Sequence, residues 1–400
     1  MNPNMDNSNL RAWWWHKQGL DGSLAGKTAA EVLAAAGWAR SVAGIGPYLT
    51  LFSRAGLRRS EIDAALAAIE IQELPSARGC TYVLPASDYA LGLKVGQSFG
   101  ENEMKVARKL GVTDAEIANL RQAIAQALSE GPLDPEGLRA TVGTAARSLG
   151  PEGVKKGLAT TLPLALGAMQ SAGDIRRIPI DGRLDRQRYK YALWKPNPLT
   201  NCKRSADDSF IELASRFFRW TGGATHGEFQ WFSGLGVKSA KAALEPLKLE
   251  PVGDYFMLPE DRAAFETFKP SKAPQYALVG SLDSIGQLRR DLKSLLGDED
   301  LDRDFMRSGA GSFISDMPSH AIMDRGRVIG WWEYDTGTAS IAWMCFTKPD
   351  AAIQSAIDRT EVFIREDLGD ARSFSLDSPK SRAPKIAAIR KGKLVSAKGN

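Results

Sequence analysis

Cysteine is scarce: Cys80, Cys202 and Cys345 are the only three in 400 residues, far apart and outside any CxxC spacing. An odd number of distant thiols argues against a disulfide framework or a zinc site and fits a reducing cytoplasm. Histidine is as sparse, and His16, His226 and His320 stand singly, which argues against an all-histidine metal site. No apolar run approaches the ~20 residues that a membrane-spanning helix needs. The start, Met1 to Leu10, is polar and holds no signal-peptide core. What these absences leave is a cytoplasmic globular chain, too long for one ordinary core and expected to divide into units of roughly 100 residues.

Positive charge is present in modest excess, +5 overall with a pI near 9.0. Its distribution is uneven. Between Pro151 and Thr200 nine Lys and Arg stand against four Asp and Glu, a local surplus equal to that of the whole chain. Such a block suits a polyanionic partner or a solvated basic face.

Punctuation divides the rest. In a first unit, about 10–95, Thr28 and Glu31 form a capping box, Tyr48 to Arg54 reads as a second helix, and Ser60 caps a third. Ile71 to Leu84 loses helical periodicity and reads as strands. In a second unit, 96–200, Thr113 and Glu116 form a capping box that opens a helix stopping at Gly131-Pro132. Helices at Pro135 to Val142 and Leu162 to Ser171 follow. A hairpin then runs from Ile175 to Ile180, turns at Asp181-Gly182 and returns from Leu184 to Leu193. In a third, 205–265, helices at Ser209 to Trp220 and after Thr225 lead through Gly234-Leu235-Gly236 into Val237 to Leu244. That helix buries Val237, Ala240 and Leu244, and a hairpin turns at Gly253-Asp254. From 270 to 400 the expectation is an α+β domain. It comprises a strand at Tyr276 to Leu282, a helix at Ile285 to Leu296, strands at Ala321 to Tyr334 and Ala339 to Phe346, a helix at Ala351 to Asp367, and a basic last segment, Arg382 to Lys398, loose at its end.

The fold class expected is therefore α+β and predominantly helical, with three tandem winged helix-turn-helix units and a C-terminal α+β domain carrying a small sheet. Repeated winged units point to duplex DNA, with the helix after the tight turn in the major groove and the wing on phosphates. The second wing carries Arg176, Arg177, Arg183, Arg186, Arg188 and Lys190; the third unit's recognition helix offers Lys238 and Lys241. Winged helices also serve as protein-docking modules.

Several stretches together resemble the winged-helix DNA glycosylases of the AlkZ/YcaQ type, from about Leu10 to Arg390. They are Gly37 to Leu57 (GWARSVAGIGPYLTLFSRAGL), Arg78 to Pro85 (RGCTYVLP), Leu162 to Trp194, Phe217 to Leu244, Tyr276 to Asp283 and Gly326 to Tyr334. The resemblance implies three winged-helix units around a basic concave surface that holds duplex DNA, and cleavage of the N-glycosidic bond of alkylated purines without metal or organic cofactor. An N7-alkylguanine already carries positive charge, so the enzyme mainly places a water and stabilises an oxocarbenium-like sugar. The family does this with a Gln-x-Gln or Gln-x-Asp pair after a Gly-containing helix end. The matching positions here are Arg40 and Val42. Arg40 cannot act as a base, Val42 can neither hold a water nor stabilise a cation, and Tyr82 stands where relatives often have His.

Other candidates read more simply as structure. Trp13, Trp14 and Trp15 beside His16 and Gln18 could stack on a base, but core packing is the favoured reading. His226 reads as a helix-start detail and Asp283 as a solvated acid or cap, while Arg40 suits a phosphate contact or an ion pair. Three functions stay open: a non-catalytic DNA-binding protein that acts as a monomer in the cytoplasm at the nucleoid, a diverged glycosylase using other side chains around Arg40, and a protein-interaction scaffold.

Overall fold

Helix starts follow the caps written in the sequence. Thr28 accepts the Glu31 amide proton while Glu31 accepts from the Thr28 amide, opening Ala29–Ala36, which Gly37 ends. Thr225 and Glu228 repeat the device at His226–Ser233. Of the box expected at Thr113 and Glu116 only half forms: Thr113 accepts the Glu116 amide proton at the start of Asp114–Ser129, while the Glu116 carboxylate turns to Arg147. Ser60 does not cap the helix Arg59–Ala67; Arg58 precedes it, and Glu61 reaches back to the Arg58 amide.

The computed structural model describes residues 7–186, 188–306 and 313–394, the Asn102 side chain apart. It is α+β, about half helical, with small antiparallel sheets. Strands β1 (Ala39–Arg40), β2 (Ile71–Pro75) and β3 (Thr81–Pro85) form a sheet in the order β1-β3-β2. Two hairpins follow, β4 (Ile175–Pro179) with β5 (Tyr189–Leu193), and β6 (Glu250–Val252) with β7 (Tyr255–Met257). The last sheet contains β8 (Tyr276–Val279), β9 (His320–Asp324), β10 (Arg327–Asp335) and β11 (Ser340–Cys345), in the order β11-β10-β9-β8. Among the described residues no helix is long and apolar enough to cross a membrane.

The structure departs from the local sequence pattern in several places. Pro179 pairs with Tyr189, so residues 180–188 connect the second hairpin in place of a two-residue turn. Leu184 is drawn out of strand pairing into a core with Tyr48, Ile322, Trp332 and Phe363, and its amide donates to the Tyr48 hydroxyl at 3.0 Å. The helix expected over Ile285 to Leu296 stops at Gln287, because Arg290 turns left-handed (φ 50) while Arg289 reaches the carbonyls of Thr221 and Gly223. The stretch Ala321 to Tyr334 is two strands, β9 and β10, folded at Arg325-Gly326, both with positive φ. Val237 is 72% exposed, although Ala240 and Leu244 of its helix are buried. The last basic segment begins inside a helix, Pro379–Arg390, with Arg382 buried against Asp370 and Asp377; its end at residues 395–398, where looseness is expected, lies outside the described residues.

Cores run across the expected units. Residues of the first stretch share one core with β9, β10 and the helix Ala351–Phe363. Trp38, Tyr82 and Leu84 share another with Phe217, Trp220 and Phe232. A third is gathered almost wholly within 107–191. Trp13, Trp14 and Trp15 are core residues: the Trp13 indole donates to the Gly222 carbonyl at 2.7 Å, and the Arg289 guanidinium lies 3.5 Å over Trp14. Asp283 is a cap, as one reading had it, accepting the Ile285 amide proton, and it is buried.

His320 is fully buried, with Nδ1 accepting from the Ser281 amide at 3.0 Å and Nε2 facing the Ala371 carbonyl at 3.0 Å. One nitrogen must accept and the other donate, so the neutral ring fits, and burial lowers its pKa below the ordinary value. The neutral ring's contribution is complete above the unfolded value of about 6.5 and is lost as pH falls through the lowered folded value. Between pH 8 and pH 5 the urea midpoint of the wild type should therefore fall more than that of His320→Gln. Parallel loss in both proteins would remove His320 as the cause.

Candidate nucleic-acid interface

Arg40 ends β1, directly opposite Tyr82 of β3. Its guanidinium donates to the Thr81 carbonyl at 2.9 Å and lies 5.4 Å from the centre of the Tyr82 ring. Tyr82 is buried, and burial pushes its phenol up to about 12, so it stays neutral. Beside this pair, Arg78 occupies a left-handed turn (φ 57), and its guanidinium sits 3.6 Å over Trp231. Arg290 lies 4.6 Å from the same indole while gripping Asp316 at 2.7 and 2.8 Å. Packing fixes the neighbourhood. A Cβ on Gly234 would come within 3.2 Å of the Arg78 Cα, so the turn before the helix Val237–Leu244 closes directly onto the Arg78 turn. Lys238 and Lys241 on that helix are exposed and make no ion pair among the described residues.

On the other side of Arg40, the Ser41 hydroxyl donates to Glu73 at 2.5 Å. Glu73 lies 3.9 Å from Arg177, whose guanidinium covers the Tyr189 ring at 4.4 Å. The Gln72 amide donates to the Arg177 carbonyl at 2.9 Å, which docks β4 against β2. Val42 gives its carbonyl to the Ser375 amide at 3.0 Å.

The basic hairpin is not uniformly outward. Arg183 is clamped by Asp185, at 2.5 and 2.9 Å, and by the Leu368 carbonyl. Arg177 is turned inward as described, and Arg176 is half-buried near Tyr89, burial lowering its pKa. Arg186 is exposed and pairs with Asp181 at 2.7 Å. Arg188 and Lys190 are exposed, with no ion pair among the described residues. His226 is exposed at its helix start and stacks on Phe256. Cavities of about 510 Å³, lined by Arg121, Met169 and Trp194, and of about 750 Å³, lined by Gln126, Leu133 and Val142, belong to the second stretch and are lined by neither Arg40 nor Val42.

Arg78, Trp231 and Arg290 were missed from the sequence. Arg78 lies in a stretch that carries the family resemblance, but nothing local announces that it stacks on an indole more than a hundred residues away.

Comparison with known proteins fits this fold. The family model described as DNA glycosylase AlkZ-like matches residues 44–360, so the chain belongs to the AlkZ-like DNA glycosylase family. The match begins just past Arg40 and Val42. Among solved structures the chain is similar to the Streptomyces sahachiroi DNA glycosylase AlkZ, with a TM-score of 0.66 and 16% identity over 92% of this chain and 98% of that one. At that identity the likeness is one of fold. A comparison with curated protein sequences finds no match.

Proposed function

We propose that this chain binds duplex DNA, alkylated DNA included, as a monomer at the cytoplasmic nucleoid, without the family's hydrolysis at positions 40 and 42. It does so through three winged-helix units, at 10–95, 96–200 and 205–265, joined to the α+β domain at 270–400. The order of two helices, a tight turn, a third helix and a hairpin over 206–257 supports a winged unit there. The observation that carries the reading is the convergence of Arg40, Arg78 and Arg290 around Tyr82 and Trp231, next to the helix bearing Lys238 and Lys241. Phosphates would be held by Lys238 and Lys241, by Arg40, and by the outward Arg186, Arg188 and Lys190 of the second hairpin. Arg176, Arg177 and Arg183 shape that hairpin from within.

One observation favours a second reading, a diverged but active N7-alkylguanine glycosylase. The Glu73 carboxylate, held by Ser41 between the two altered positions, is a group able to stabilise an oxocarbenium-like sugar or take a proton from water.

A single experiment separates these readings. The protein is mixed with a duplex carrying one N7-methylguanine and with an undamaged control, and binding across a salt series is followed together with base release. Salt-dependent binding without release is expected. The variant Lys238→Ala/Lys241→Ala should bind both duplexes more weakly and lower the salt slope by about 0.9 for each phosphate it no longer neutralises. Release above the spontaneous rate, abolished by Glu73→Gln, would replace this reading with the glycosylase. Absence of both binding and release would leave a protein-interaction scaffold.

A further inference from the structure

The loop that follows the helical segment ending at Leu368 is tied down at several backbone groups. Its Ala371 carbonyl faces His320, and its Arg372 carbonyl accepts the Ile45 amide proton at 2.9 Å. The Ser373 amide donates to Asp377 at 2.9 Å and its hydroxyl accepts from Ser281 at 3.0 Å, while the Ser375 amide donates to the Val42 carbonyl. Asp377 is itself held by buried Arg382. Gly44 lies so close beneath that a Cβ there would stand 2.2 Å from the Ser373 oxygen.

A loop fixed this firmly nevertheless presents two large apolar side chains to water. Phe374 is 47% and Leu376 85% exposed, and few other large hydrophobic residues are exposed in the described chain. The loop's own carboxylates, Asp370 and Asp377, are paired with Arg382, and the segments that brace the loop carry guanidiniums. Val42, tied to the loop, is two residues from Arg40, and the Arg372 guanidinium donates to the carbonyl of Asp185, the neighbour of exposed Arg186. Apolar side chains on a stiff tip, with guanidiniums on the two segments that brace it, match the chemistry of a stack of bases between two phosphate strands. An apolar wedge enters such a stack by unstacking one step, and this costs least where pairing is already lost.

We propose that Phe374 and Leu376 form a wedge that enters the base stack of duplex DNA beside the position of Arg40, and so directs the protein to weakened steps. The proposal rests on the duplex-binding reading. Its test uses the full chain with two short duplexes, one intact and one carrying 2-aminopurine beside an abasic site. The wild type should raise 2-aminopurine fluorescence and bind the abasic duplex roughly tenfold more tightly than the intact one, the scale of one stacked base. Phe374→Ser/Leu376→Ser should lose the fluorescence rise and the preference, while keeping the thermal midpoint and the salt slope on intact duplex. A variant that keeps the rise and the preference overturns the wedge and leaves duplex binding standing. A wild type that binds neither duplex in a salt-dependent way overturns both.

Discussion

Replacing Arg54 by Met should cost about 3–5 kcal/mol of stability, the range found when one partner of a buried ion pair is removed. Arg54 and Asp283 are both almost fully buried and bonded twice, at 2.8 and 2.7 Å. The guanidinium also donates to Gln18 and Ser284, and Asp283 accepts from Thr50. Taking away the cation strands a carboxylate in the interior, where desolvation outweighs what the remaining hydroxyl and amide can return. The pair joins the helix Gly46–Ala55 to the turn after β8, so unfolding of the first stretch and of the last sheet should remain a single transition in the wild type. Urea denaturation followed by tryptophan fluorescence reads both quantities. A loss below about 1 kcal/mol would show that the pair is dispensable, in the manner of exposed ion pairs. The double variant Arg54→Met/Asp283→Leu should recover part of the loss, since no charge is then left buried, although the Thr50 hydroxyl and the Ile285 amide lose their acceptor.

Gly44→Val should be the second most damaging change. The nearest atoms to a Cβ there are backbone, the Ser373 carbonyl oxygen at 2.2 Å and carbon at 2.4 Å, and the loop cannot retreat without breaking the Ile45–Arg372 and Val42–Ser375 hydrogen bonds. Overpacking of this kind costs about 1–3 kcal/mol, and the rigidity of both partners places this case at the upper end. Gly56→Ala is the comparison. Gly56 has φ +75 but open space around it, so only the conformational cost of about 1 kcal/mol applies. Hydrogen exchange at the Ile45 and Ser375 amides should rise in Gly44→Val and stay unchanged in Gly56→Ala. Equal losses in the two variants would mean that the close approach beneath the loop carries no weight.

What the sequence made legible was chemistry confined to a few neighbouring residues. The caps at Thr28 and Thr225, the helices Pro135–Val142 and Leu162–Ser171, and the turn at Gly253-Asp254 each depend on three or four consecutive side chains. Leu184 was misread because a Leu after Asp-Gly continues a hairpin unless a distant core has room for it, and that core is assembled from residues more than a hundred positions away. The same limit governed the arginines. Counting charge identified a basic hairpin, but Arg183 turns to Asp185 and Leu368 whereas Arg188 faces solvent, and a count cannot separate the two. The stacking of Arg78 and Arg290 on Trp231 joins three separate parts of the chain, and none of them carries a local mark of the meeting.

The burial of Leu184 gives the basic hairpin a mechanical character. Its connection is pegged into the core beneath Tyr48 and Trp332, so the cationic strand ends cannot swing freely toward a phosphate strand. Lifting them means withdrawing a leucine, at about 1.5–3 kcal/mol, and that cost is subtracted from whatever binding energy the movement brings. On the duplex-binding reading, the hairpin would work as a spring with its rest position set inside the protein: a partner whose backbone already lies where Arg188 and Lys190 stand would be held at full strength, and one that requires it to bend would be held more weakly.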